Sequence, residues 1–126
     1  MLRLRMMRAP QKYVQGKNSL LQFHKEMESL GDKWLFICSR SGYKMTHDKI
    51  EKSFEGTQDV RQYEIFGGVS STGEIERMRK IVRDNGLNVV VGVGGGSAID
   101  TAKATAYYEK LPVVIVPTVV ATDAPC

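Results

Sequence analysis

Hydrophobic and polar positions change period several times along the chain, and the changes predict alternating strands and helices. Residues 11–16 (QKYVQG) alternate and end in glycine, which predicts a short strand. In residues 19–31 (SLLQFHKEMESLG) the apolar positions recur near helical spacing, and Gly31 is expected to end that helix. Residues 33–38 (KWLFIC) predict a buried strand, and a polar helix is expected from about Thr46 to Phe54.

The second half of the chain continues the alternation. Residues 60–66 (VRQYEIF) alternate with period two, and their polar interruptions predict a strand near a sheet edge. A helix follows, with Ser71 and Glu74 spaced as a capping box and Asn85-Gly86 as its end. The strand NVVVGV, a helix from Ala98 and the strand PVVIVPT complete the series. Continuous Val/Ile runs between helices predict an α/β fold with a parallel sheet covered on both faces.

Composition narrows the class of protein. A length of 126 residues with 42% apolar content predicts one modest domain. No apolar run approaches the roughly 20 residues that span a bilayer, and the basic start lacks the apolar stretch of a secretory signal. Residues 1–25 hold six basic side chains and no acid, a pattern typical of a solvated face, so nucleic acid is not expected as a partner. The two cysteines lack metal-site spacing, and Cys38 is expected to pack as a small hydrophobe in a reducing cytoplasm.

The run Gly94-Gly95-Gly96 stands between a predicted strand and a predicted helix. In a parallel sheet this place is the ligand crevice, where bare N–H groups and a helix N-terminus favour an anion. Ser97 is expected to cap the helix or donate to a phosphate oxygen, with Asp100 completing a capping box. The alternative is that the glycines only allow the helix to pack tightly on the strand. The spacing matches neither G-x-G-x-x-G nor a P-loop.

Longer stretches carry a resemblance. GVGGGSAIDTAKATAYY followed by LPVVIVPTVVATDAPC, together with PQKYVQGKNSL and FGGVSSTGEIERM, resembles the N-terminal domain of the glycerol dehydrogenases. These belong to the iron-containing (group III) alcohol dehydrogenase family, and the resemblance runs from about Ala9 to Cys126. It implies a Rossmann-like dinucleotide-binding domain over residues 1–126, belonging to a two-domain fold that dehydroquinate synthases share. The helical metal-binding domain of that fold is expected to be absent from this chain.

The resemblance also implies roles for individual residues. Gly94, Gly95, Gly96 and Ser97 would hold the dinucleotide pyrophosphate, with Asp100 in the same helix. Thr118 and Thr122 match positions that line the cofactor, and Asp123 matches a residue that contacts a substrate hydroxyl. From the residues alone, Asp123 is equally an Asx turn before Pro125.

Three positions depart from the family pattern. Ser97 stands where many glycerol dehydrogenases have lysine, and Ala121 stands where many have serine. After the first core strand, Ser39 and Arg40 replace the aspartate that many NAD-dependent members place at the adenosine ribose. Without that carboxylate, repulsion of a 2′-phosphate is lost, so NADP is an expected cofactor beside NAD.

The family reaction transfers a hydride between a secondary alcohol and nicotinamide, with a divalent metal (zinc or iron) polarising the hydroxyl. The two histidines are not in a ligand pattern: His24 is expected to be packed or at a rim, and His47 to lie on the surface at a helix start. The metal ligands are therefore expected outside this chain, which alone should be inactive.

Three functions follow from these observations. The first is the cofactor-binding part of a cytoplasmic, homo-oligomeric polyol dehydrogenase that oxidises glycerol to dihydroxyacetone or acts on a similar alcohol. The second is a non-catalytic nucleotide-binding fragment, and the third is a dehydroquinate-synthase-like lyase. The T-D-A-P stretch that contains Asp123 favours the first over the third.

Overall fold

A parallel sheet of five strands forms the centre of the computed structural model, which describes residues 11–13, 18–67 and 71–118. The strand order is β1-β5-β4-β2-β3, and every neighbouring pair is parallel. The strands are β1 Gln11–Tyr13, β2 Lys33–Cys38, β3 Val60–Ile65, β4 Val89–Gly94 and β5 Val113–Pro117. The α-helices are α1 Phe23–Met27, α2 Arg40–Ser53, α3 Thr72–Asn85 and α4 Gly96–Glu109. Short 3₁₀ turns flank α1 at Asn18–Gln22 and Glu28–Leu30.

The connections leave the two central strands in opposite directions. From β2 the chain passes through α2 to β3 on one side, and from β4 it passes through α4 to β5 on the other. In an open parallel sheet, such a reversal leaves a crevice at the carboxyl ends of the two strands. The fold therefore places a candidate ligand site between the ends of β2 and β4.

Both faces of the sheet are buried, which explains the unbroken apolar run in β2. Trp34 and Phe36 point to one face, where they meet Phe23 of α1 and Phe54 beyond the end of α2. The alternate residues of β2, Leu35 and Ile37, point to the opposite face. There they belong to a second core with residues of α3 and α4: Met78, Val82, Ala98 and Ala102. The predicted α/β class, with a Rossmann-like parallel sheet and helices on both faces, is confirmed.

Two predicted helices have different bounds in the structure. Helix α2 begins at Arg40, not near Thr46, because the Ser39 side chain accepts a hydrogen bond from the Gly42 N–H and caps it. Only the central part of the first predicted helix is α-helical. Gly31 ends it with extended backbone and not in a left-handed cap. A Cβ at Gly31 would lie 2.6 Å from Val89 Cγ2, so close packing explains this glycine.

The predicted capping box of α3 is only half formed. The Ser71 hydroxyl accepts from the Glu74 N–H at 3.3 Å, as predicted. The Glu74 carboxylate instead accepts from the Gly67 N–H at 3.0 Å and from Arg77, which lower its pKa against the effect of burial. Gly86 ends the helix with a φ of 62°, which confirms the predicted stop.

Three side chains singled out in the sequence are now placed. Cys38 is 1% exposed, as expected, and burial raises the pKa of its thiol to about 12. His24 is half-buried, as expected, with Nε2 3.1 Å from Asp59 Oδ2. His47 differs from the prediction: it lies within α2, half-buried against the rings of Tyr43 and Tyr63. Among the residues that the structure describes, no helix has the length and apolar character needed to cross a membrane.

Glu51 ties helix α2 to the edge strand β3. Its carboxylate accepts two hydrogen bonds from the Arg61 guanidinium, at 3.0 and 2.7 Å, and one from the Tyr63 hydroxyl at 2.7 Å. These bonds, that of Arg61 above all, outweigh burial and lower the pKa of Glu51. Burial raises the pKa of Tyr63, and the hydrogen bond from its hydroxyl to Glu51 raises it further.

Replacing this carboxylate by an amide (Glu51→Gln) should lower the free energy of unfolding by about 1 kcal/mol at pH 7, because the charge is lost while the shape is kept. The folded-state pKa lies below the unfolded value of about 4.3, so this contribution is present above that pH and lost as pH falls through the folded-state pKa. Urea unfolding at pH 7 and pH 3 measures the difference in the free energy of unfolding from wild type, which should be smaller at pH 3 than at pH 7. Glu55→Gln, at an exposed position, is the control; an equal gap at both pH values contradicts the prediction.

Candidate functional site

A cavity of about 350 Å³ lies at the carboxyl ends of β2, β3 and β4. Its position is the crevice that the strand order predicts. Its lining comes from the segments that directly follow these three strands: Ser39, Arg40, Phe66, Gly67, Gly95, Gly96, Ser97 and Ala98. The predicted residues Ser39, Gly95, Gly96 and Ser97 thus come together from two separate turns.

Packing explains two of the glycines near this cavity. A Cβ at Gly92 would lie 2.7 Å from Ala102 Cβ and 3.2 Å from Ile99 Cα, so this glycine lets α4 approach β4. Gly94 has a φ of 120°, a region that side chains disfavour, and its Cβ would overlap the Ser39 side chain. The tight-packing explanation of the glycine run therefore holds for Gly92 and Gly94.

Gly95 and Gly96 have a different environment. A Cβ added at either residue would have nothing within 4 Å, and both residues are exposed. They stand at the N-terminus of α4, a helix of 14 residues, where the first N–H groups have no partner within the helix. Bare backbone, free space and a partial positive charge make this turn suited to an anion.

The helix begins two residues earlier than predicted, and this changes the expected role of Ser97. Gly95 is the N-cap, no side chain caps the helix, and the Ile99 N–H donates to the Gly95 carbonyl at 3.2 Å. Ser97 is the second helical residue and lines the cavity. The predicted capping box of Ser97 and Asp100 is wrong, because the N-cap is Gly95 and Ser97 already lies inside the helix. Asp100 is exposed one turn into α4, outside the cavity lining.

The second side of the cavity is the start of α2. Ser39 follows β2 and caps this helix, while its own N–H donates to the Val93 carbonyl at 3.0 Å. Arg40 is exposed, and within the described ranges its guanidinium forms no ion pair. Two helix N-termini and one unpaired cation thus face a single cavity.

The remaining predicted site residues divide into described and undescribed ones. Thr118 is half-buried, and its N–H donates to the Gly94 carbonyl at 3.4 Å, so β5 ends beside the glycine turn. Thr122 and Asp123 lie outside the described residues. Within residues 18–67 and 71–118, no three His, Cys, Asp or Glu side chains form a group suited to a metal ion.

Sequence reasoning missed three residues of the lining: Ala98, which follows the predicted Ser97, and two residues from another strand end, Phe66 and Gly67. The strand that precedes them was predicted, but its place beside β2 was not, because a parallel pairing has no local signal in the sequence. The Phe66 N–H donates to the Cys38 carbonyl at 2.8 Å, which brings the end of β3 level with Ser39. A search of every strand end for small or aromatic residues would have included them.

Comparisons with known proteins show which family and which solved structures the chain is similar to. Residues 10–126 match the family model described as iron-containing alcohol dehydrogenase. The chain is 37% identical over 122 residues to a glycerol dehydrogenase of Pseudomonas putida, which covers 97% of this chain and 33% of the relative. It is 35% identical over 118 residues to a glycolaldehyde reductase of Halobacterium salinarum, covering 94% of this chain and 32% of the relative. The crystal structure of glycerol dehydrogenase from Schizosaccharomyces pombe superposes with a TM-score of 0.75 at 30% identity, covering 86% of this chain and 28% of that one. The chain spans about a third of the length of the curated relatives it matches.

The two kinds of glycine should respond differently to alanine. Gly94→Ala should lower the free energy of unfolding by about 2 kcal/mol, because the added Cβ meets Ser39 in a strained backbone conformation. Gly96→Ala should leave it unchanged or raise it by up to about 1 kcal/mol, because the position is helical and open. Urea unfolding of the two variants provides the comparison. Equal losses would mean that the turn is not divided into a packed and an open part.

Proposed function

The chain belongs to the iron-containing alcohol dehydrogenase family, and we propose that it is the dinucleotide-binding domain of a polyol dehydrogenase. The observation that carries this proposal is the open turn at Gly95 and Gly96, where a helix begins against a cavity with no side chain in the way. A dinucleotide pyrophosphate is the anion that suits such a turn in a parallel α/β sheet. NAD or NADP is therefore the proposed cofactor.

The pyrophosphate would lie on the first N–H groups of α4, with the Ser97 hydroxyl as a further donor. This hydroxyl has no hydrogen-bond partner within the described residues, so it is available to a ligand. The residues present fit a phosphate, because a Cβ at Gly95 or Gly96 would point into open space and its absence leaves the backbone N–H groups accessible. Asp100 lies one turn further along α4 and does not line the cavity. Its proposed role in cofactor binding is therefore indirect, through the first turns of this helix.

The adenosine ribose would lie toward the end of β2, at Ser39 and Arg40. A hydroxyl and a guanidinium stand there, and among the described residues the guanidinium has no ion pair and no carboxylate lines the cavity. A carboxylate would repel a 2′-phosphate, whereas a guanidinium can bind one through two parallel hydrogen bonds. We therefore propose that NADP is accepted beside NAD.

The substrate end of the site is proposed to follow β5. Thr118 adjoins the glycine turn, and Thr122 and Asp123 would complete the nicotinamide and substrate contacts. When bound, the oxidised cofactor would accept a hydride from the alcohol. In the proposed reaction, Asp123 accepts a hydrogen bond from a substrate hydroxyl and so orients the neighbouring carbon. Glycerol is the proposed substrate, because the named relatives include glycerol dehydrogenases and a glycolaldehyde reductase, enzymes of small hydroxy compounds. We further propose that the protein is a cytoplasmic homo-oligomer and that a divalent metal, zinc or iron, is held by residues other than those described.

Blocking the open turn tests dinucleotide binding. Gly96→Val should weaken NAD binding at least tenfold, because the branched side chain fills the proposed pyrophosphate space. Isothermal titration calorimetry with NAD measures the affinity, and the melting temperature reports the fold. Gly73→Val is the matched control, because Gly73 also lies in the first turn of a helix with open space around it but outside the cavity lining. Equal NAD affinity of wild type and Gly96→Val would contradict the proposal.

Adding a carboxylate at residue 39 tests the cofactor choice. Ser39→Asp keeps an N-cap acceptor for α2, so the fold should be maintained. It should raise the Kd for NADP at least tenfold relative to that for NAD, because the carboxylate repels the 2′-phosphate. Ser39→Asn, the uncharged isostere, should leave the ratio of the two Kd values within about threefold. If wild type already excludes NADP as strongly as Ser39→Asp does, the ribose does not lie at residue 39.

A further inference from the structure

Gly42, in the first turn of α2, is buried behind the cavity and does not line it. Its environment is the most crowded of the helical glycines in the described part of the chain. A Cβ there would lie 2.7 Å from Ser39 Oγ, 2.9 Å from the Val93 carbonyl oxygen and 3.0 Å from Gly94 Cα. Two of these atoms belong to the backbone that leads into the glycine turn, and backbone cannot move aside as a flexible side chain can.

Hydrogen bonds hold the same contact from both sides. The Gly42 N–H donates to Ser39 Oγ at 2.9 Å, and the Ser39 N–H donates to the Val93 carbonyl at 3.0 Å. The buried Thr46 hydroxyl donates to the Gly42 carbonyl at 2.7 Å. The first turn of α2 and the turn after β4 therefore form one unit, in which Gly42 and Gly94 face each other.

We propose that Gly42 is a positioning residue for the phosphate turn, an inference that rests on the proposed dinucleotide binding. Because Gly42 has no side chain, the start of α2 closes directly on Gly94. This closure sets the position of the next residues, Gly95 and Gly96, whose N–H groups would meet the pyrophosphate. A methyl group at residue 42 forces Val93 and Gly94 apart from α2 and moves those donors, although it touches no ligand.

Helix propensity alone predicts that alanine at residue 42 is favourable and not disruptive. Alanine is favoured over glycine inside a helix, so Gly42→Ala would raise the helix stability if only α2 mattered. Gly73 provides the matched comparison, because it also lies in the first turn of a 14-residue helix and a Cβ there meets nothing within 4 Å. Any effect of Gly42→Ala on ligand affinity beyond that of Gly73→Ala belongs to the contacts of residue 42 with Ser39, Val93 and Gly94.

The test compares the NAD affinity of wild type, Gly42→Ala and Gly73→Ala by isothermal titration calorimetry, at a temperature where circular dichroism shows all three folded. Gly42→Ala should weaken NAD binding at least tenfold, and Gly73→Ala less than twofold. If wild type binds NAD and Gly42→Ala binds it equally well, the inference fails and the proposed function stands. If wild type binds neither NAD nor NADP, the proposed function fails and the inference with it.

A measurement on wild type keeps the inference testable if Gly42→Ala does not fold. In a ¹H–¹⁵N spectrum, NAD should shift the amide resonance of Gly42 together with those of Gly95 and Gly96. The amide of Gly86, at the far end of α3, should not shift. Shifts at Gly95 and Gly96 with none at Gly42 would mean that the two turns do not move together, and would overturn the inference.

Discussion

The close approach of two backbone turns, one after β2 and one after β4, is the contact on which the site depends. The two strands are neighbours in register, with Cys38 beside Val93, and the chain leaves them in opposite directions. The helices that follow must therefore start side by side at the same edge of the sheet. Gly42 and Gly94 make this possible, because a side chain at either would meet the turn opposite. The proposed anion binding depends on this packing, since it brings two helix N-termini together.

Adjacent glycines of the turn after β4 have different surroundings: some are packed against the protein, and others are open to the proposed ligand. Gly92 and Gly94 are required by neighbouring atoms of the protein itself, whereas Gly95 and Gly96 have free space around them. The amino-acid sequence alone does not distinguish a glycine needed for packing from a glycine needed for a ligand, because both positions require the absence of a Cβ. Only the surroundings of each residue separate a packing requirement from a ligand requirement. The packing explanation therefore holds for Gly94, whereas phosphate binding stays a proposal for Gly95 and Gly96.

The sequence pattern was sufficient for the strands and for the α/β class, because apolar runs and helix ends are local signals. It was insufficient for the start of α2, where polar residues carry the first turn and the cap at Ser39 is the only mark. It was also insufficient for the start of α4, because a glycine N-cap has no side chain to recognise. The lateral order of the strands is a property of the whole chain. Phe66 and Gly67, which that order brings to the cavity, could not be assigned to the site from local pattern.

The chemistry of the described lining supports binding more than catalysis. Of its eight residues, Arg40 is the one that carries a charge, and the others offer backbone N–H groups, two serine hydroxyls and apolar surface. Glu51 and Glu74, which lie on the helices beside the cavity, are each held by an arginine, so their charges are already compensated. No side chain of the described lining can act as a general base at neutral pH. The described lining is thus suited to holding an anion in a fixed position, and in the proposed function the groups that act on a substrate lie beyond it, with Asp123 as the first of them.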